Sequence, residues 1–70
     1  MTHDTMAEQR TRLLDRLRTG PLTADQARQE LGIPHPAARI WELRHGFGVS
    51  IAHVRFGGRG AYVLMTAEVA

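Results

Sequence analysis

The residues able to do chemistry gather in the second half of this 70-residue chain. Positions 33–65 carry Arg39, Arg44, Arg55 and Arg59 against Glu42 alone, with His35, His45 and His53 among them. The first 32 residues instead balance five arginines (10, 12, 16, 18 and 28) against five acids (4, 8, 15, 25 and 30). A local excess of positive charge on one stretch is the mark of an anion-binding surface. Guanidinium suits that task, because it is planar, always charged and able to grip phosphate or the edge of guanine through two parallel hydrogen bonds.

Several chemistries are excluded. All nine basic residues are arginine, so neither a Schiff-base lysine nor a Gly-Lys-Ser/Thr phosphate loop exists. GC-rich codon usage accounts for the all-arginine habit more simply than selection for recognition does. Without cysteine there is no disulfide framework or thiolate site. The four histidines include no pair at helical ligand spacing and no acidic cluster beside them, so no metal site is expected. The sole serine, Ser50, falls in a strand, and a domain this small offers no pocket for a triad, so neither catalytic residues nor a cofactor nor an enzyme is expected. The apolar run Ala61–Met65 is far too short to span a bilayer, and the opening Met1–Met6 lacks the basic and apolar blocks of a signal peptide. The reading is a soluble, cytoplasmic chain with no membrane partner.

The elements that must position these residues follow from caps and periodicity. Thr5 and Glu8 form a capping box ahead of Leu13, Leu14 and Leu17, and Gly20-Pro21 ends this first helix. A second box, Thr23 to Gln26, opens a two-turn helix with Ala27 and Leu31 on one face, stopped by Gly32. Residues 32–35 make a glycine-containing turn, and Pro36 begins a third helix of about ten residues, with Pro36, Ile40, Leu43 and Phe47 as its apolar stripe and Gly46 as its stop. After Gly48 the β-branched and alternating texture of residues 49–55 and 61–65 predicts a hairpin around Phe56-Gly57-Gly58-Arg59-Gly60, with Ile51, Tyr62 and Leu64 covering the core. The tail Thr66–Ala70 has no pattern and is expected to fray.

Helix, short helix, turn, helix and hairpin define an α+β class. The expected architecture is a three-helix helix-turn-helix core with a C-terminal two-stranded β-hairpin wing, as one domain over residues 1–70 with its ordered core at about 5–65. The runs Leu22–Ala27, Leu31-Gly32-Ile33, Ala37–Arg44 with Gly46, and Gly60–Leu64 resemble small phage and prophage winged helix-turn-helix proteins over roughly residues 10–65. The most specific part is Ala37-Ala38-Arg39-Ile40-Trp41-Glu42-Leu43-Arg44. The resemblance implies DNA binding in the control of phage genes or in excision.

On a helical wheel with Pro36, Ile40 and Leu43 inward, His35, Ala38, Glu42 and His45 occupy the opposite face, flanked by Arg39 and Trp41. Arg39 either grips guanine or pairs on the surface with Glu42 or Glu8. Glu42 either accepts from a cytosine amino group or argues against groove entry. Arg44 is expected in a structural ion pair with Asp25 or Glu30 in preference to a base contact, and Trp41 either at the rim of the core or as a stacking platform or interface anchor. Ala37 and Ala38 either permit close approach to DNA or are simply good helix formers. At the wing tip, Gly57 and Gly58 make a tight turn whose lack of side chains also allows close approach, with Arg55 and Arg59 reaching a phosphate or minor groove. The expected DNA-binding set is therefore His35, Ala38, Arg39, Glu42, His45, Arg55, Gly57, Gly58 and Arg59. The expected partner is double-stranded DNA, held by a homodimer or cooperative oligomer because one module binds weakly. The alternative is a protein-binding winged helix directed at a host polymerase, nuclease or defence complex.

Overall fold

The computed structural model describes residues 5–65, apart from the side chain of Phe56. The fraying expected of Thr66–Ala70 lies outside the described residues. The order is α1 (Met6–Leu17), α2 (Ala24–Leu31), α3 (Pro36–Gly46), β1 (Ile51–Phe56) and β2 (Arg59–Leu64). Both helix starts expected from capping boxes are present. The Thr5 hydroxyl accepts from the Glu8 N–H at 3.1 Å while the Glu8 carboxylate accepts from the Thr5 N–H at 2.8 Å. Thr23 and Gln26 repeat the exchange at 3.1 and 2.9 Å. Each box satisfies amides that a helix start would otherwise leave without partners.

The α2–α3 connection needs a left-handed residue, and Gly32 supplies it with φ of 65°. The next amide, Ile33 N–H, donates back to the Ala27 carbonyl at 3.2 Å and carries its side chain into the core, where it is fully buried. α3 then begins at Pro36, whose missing N–H costs nothing at a first helical position. Its stop is not Gly46, which remains helical: Phe47 caps the helix and Gly48 takes the left-handed conformation, with φ of 67°.

Leu13 and Leu17 of α1, Ala27 of α2, and Ile40 and Leu43 of α3 meet Leu22, Ile33 and Ile51 in one core. The antiparallel hairpin covers its open side in the register Ile51↔Leu64, His53↔Tyr62 and Phe56↔Arg59. Of the three expected covering residues, Ile51 is buried while Tyr62 and Leu64 are partly buried against the cluster. Gly57 and Gly58, with φ of 54° and 83°, form the two-residue loop, the positive-φ pair of a type I′ turn whose twist matches the strands. A feature absent from the sequence reading ties helices to wing. Leu22, in the α1–α2 connector, bridges to Tyr62, with N–H to carbonyl bonds of 3.0 and 2.7 Å in the two directions. The connector thus acts as a one-residue third strand beside β2.

Candidate nucleic-acid interface

The structure sorts the nine arginines into two groups. Six are engaged internally. Arg18 bonds Asp15 at 3.0 Å, Arg28 bonds Asp25 at 2.7 Å, and Arg16 lies 3.8 Å from Glu30. Arg12 Nε donates to the Leu31 carbonyl at 3.1 Å. Arg10 Nη1 donates to Glu42 Oε1 at 2.8 Å, and Arg39 Nη2 donates to Glu42 Oε2 at 3.0 Å. The remaining three, Arg44, Arg55 and Arg59, are exposed and have no acidic partner among the described residues. Arg44 closes α3, while Arg55 and Arg59 flank the wing tip.

Three expectations about α3 change as a result. Arg39 does not flank the solvent face: it is only 8% exposed and sits on the edge of α3 that meets α1. Its aliphatic stem covers the core rim while Glu42 neutralises its head. Glu42 is therefore not a bare carboxylate facing an approaching phosphate, because two guanidinium groups share it. Arg10 completes this network from α1, with its guanidinium also lying 4.9 Å from the centre of the Phe47 ring. That stack accounts for Phe47, which is exposed instead of continuing the apolar stripe. Arg44 also departs from expectation, since Asp25 and Glu30 already serve Arg28 and Arg16.

Trp41 is not a core-rim residue. It is 62% exposed and stacks on His45, ring centres 4.6 Å apart and planes 30° apart. The buried axis of α3 passes through Pro36, Arg39, Ile40 and Leu43. Replacing Phe47 by Arg39 in that set turns the wheel by about 20°, which brings Trp41 to within about 30° of the middle of the solvent face, with His45 nearest its centre. That face presents Ala37, Ala38, Trp41, Arg44 and His45, all exposed. His35, at the N-cap of α3, is exposed as well and makes no side-chain capping bond.

The wing lies close to the start of α2. Arg59 lines a shallow cleft with Pro21, Thr23, Gln26 and Ala61, and an adjoining one with Asp25, Arg28 and Gly60. Arg44 and His45 line a third cleft, with Ser50 and Ala52 at the start of β1. Gly57 and Gly58 are open to solvent at the tip. Arg44 and Trp41, which the sequence reading left out of the expected DNA-binding set, are both exposed on the solvent face of α3. For Arg44 the signal lay in the competition for acids, since Asp25 has Arg28 three residues away on its own helix and Glu30 has Arg16; for Trp41 no short-range pattern announced it.

With this arrangement of helices and wing in view, the chain belongs to a known class. The family model for a winged helix-turn-helix domain matches residues 8–67, so the chain is a member of that family, a DNA-binding fold that typically performs no catalysis of its own. Comparisons with curated proteins and with solved structures return no match. Among the described residues, no helix is long and apolar enough to cross a membrane, and no group of three or more histidine or acidic residues is placed to hold a metal ion.

Proposed function

We propose that this protein binds double-stranded DNA in a sequence-specific manner, with α3 in the major groove and the wing on the backbone. It would act as a small gene regulator or excision-type accessory factor, as the resemblance to phage proteins implies. The observation that carries this reading is the segregation of arginines: the three that bond to neither an acid nor a carbonyl among the described residues, Arg44, Arg55 and Arg59, all belong to α3 or the wing. Arg44, Arg55 and Arg59 supply phosphate contacts, with Gly57 and Gly58 letting the tip approach closely. His35, Ala38 and His45 face the bases. Arg39 and Glu42 hold α3 against α1 and take no part in reading. Three phosphate contacts per protomer give weak affinity at physiological salt, so two copies on half-sites about one helical turn apart are needed for useful occupancy.

The test is fluorescence anisotropy of a labelled mixed-sequence duplex titrated with protein across a range of salt. Binding should weaken with a log–log slope of about −2.7 per protomer, the value for three neutralised phosphates. The Arg44→Ala/Arg55→Ala/Arg59→Ala variant should lose most of that slope, whereas Arg18→Ala should keep it. Absence of salt-dependent binding, or a triple variant that binds like the parent, sinks the proposal. A second reading, a winged helix directed at a host protein, is favoured by exposed Trp41 and Phe47. Glu42 lends it nothing, being neutralised from both sides.

A further inference from the structure

The solvent face of α3 is unusual in what it lacks. Base edges are commonly read by arginine on guanine, asparagine or glutamine on adenine, and carboxylate on cytosine. None of those residue types is available at the centre of this face. Arg39 is buried against Glu42, Glu42 is held by two guanidinium groups, and α3 contains no asparagine or glutamine. The middle of the face is the row Ala38, Trp41 and His45, separated by three and four residues and therefore aligned along the helix. Arg44 stands at its edge.

A large apolar ring placed where DNA enters needs an apolar partner there, because an indole pressed onto a purely polar base edge removes water and returns little. The major groove has one apolar feature, the C5 methyl of thymine. The indole is already braced: its stack on His45 limits the rotamers it must give up on binding. Ala38, with only a methyl, leaves the approach to the ring unobstructed and adds a second apolar contact. The exposed cations, Arg44 on the same helix and Arg55 and Arg59 on the wing, suit a polyanion better than an apolar protein surface.

We propose that Trp41, braced by His45 and bordered by Ala38, is a specificity-determining residue that reads the 5-methyl groups of thymines in the major groove. The inference rests on the DNA-binding reading above and adds to it the chemical feature recognised. A randomised duplex library is enriched on the wild-type protein, and the enriched pool is then amplified with either dTTP or dUTP, giving two pools that differ only in the thymine methyl. Binding of each is followed by anisotropy for wild type, Trp41→Ala and His45→Ala.

The wild type should prefer the thymine pool by about fourfold for each methyl buried, the effect of one methylene-sized apolar contact. Trp41→Ala should bring the ratio to one, and His45→Ala should reduce it. Because Trp41 is solvent-exposed and alanine is a better helix former, Trp41→Ala should keep its far-UV circular dichroism. Failure to bind any duplex refutes DNA binding itself. Binding without enrichment, or equal affinity of the wild type for both pools, leaves DNA binding intact and overturns the methyl readout. A thymine preference that survives in Trp41→Ala overturns the assignment to Trp41 and returns that residue to a protein-facing role.

Discussion

Glu42→Ala separates a structural carboxylate from a base-reading one. Arg39 donates Nη2 to Glu42 Oε2 at 3.0 Å, its Nε is buried without a hydrogen-bond partner, and its side chain is about nine-tenths buried. Removing the carboxylate leaves that guanidinium with no acceptor among the described residues. Breaking a fully buried pair costs roughly 3–5 kcal/mol. Here the Glu42 side chain is 27% exposed and Arg10 can turn to water, which places the loss lower, at about 2–3 kcal/mol. In a domain of this size each kcal/mol moves the midpoint by roughly 4–8 °C, so the melting temperature should fall by roughly 10–20 °C. Far-UV circular dichroism during a thermal ramp reads this directly. The double variant Arg39→Met/Glu42→Leu, which removes both charges and keeps the volume, should recover most of the loss. The reasoning is refuted if Glu42→Ala melts within a degree or two of the parent and instead changes the preference for cytosine in the bound duplex. The carboxylate would then be reading a base.

Two further substitutions test how the wing and α2 are held. An added Cβ at Gly60 would sit 2.5 Å from His53 Nε2, so Gly60→Ala should push the imidazole off its stack on Tyr62, where the ring centres are 4.8 Å apart. The expected loss is roughly 0.5–1.5 kcal/mol by urea denaturation, and it should vanish when Gly60→Ala is made in a His53→Ala background; strictly additive effects would refute the contact. Thr23→Ala removes the hydroxyl half of the α2 capping box and should cost about 1 kcal/mol. Its denaturation midpoint should fall while the salt slope of duplex binding stays the same.

The elements were legible because local chemistry declares them. Thr5 with Glu8 and Thr23 with Gln26 are short-range patterns, and Gly57-Gly58 between alternating segments leaves little besides a tight turn. What escaped were facts set by partners distant in sequence. Arg39 reads as exposed until Arg10, 29 positions away in the chain and on another helix, is seen to share Glu42 with it. Phe47 reads as core until the same guanidinium is seen over its ring. The Leu22 to Tyr62 bridge pairs a connector with a strand 40 residues later, and no periodicity in Leu22 or its neighbours announces it. The stop of α3 was misplaced because Gly46 and Gly48 are equally able to end a helix. Burial of Leu43 and Val49 decides between them, with Val49 N–H closing onto the Leu43 carbonyl at 2.9 Å.

The modest net charge of +2 bears on mechanism once the ion pairs are assigned. A DNA-binding surface can arise by accumulating arginines or by neutralising them everywhere else, and this chain takes the second route. Six guanidinium groups fasten helices, cap a carbonyl or cover an aromatic ring. Arginine suits this work because its planar head can donate to a carboxylate at one edge while a ring lies against its face, as Arg10 does between Glu42 and Phe47, a geometry the ammonium of lysine cannot reproduce. Long-range attraction to DNA is correspondingly weak, since the net charge is only +2 and salt screens it over about 8 Å. Discrimination must then come from contacts made after docking. On the reading proposed above, those contacts would be made by the row Ala38, Trp41 and His45 with Arg44 at its edge, and the rigidity that the Arg10–Glu42–Arg39 network gives to α3 would serve reading as well as stability.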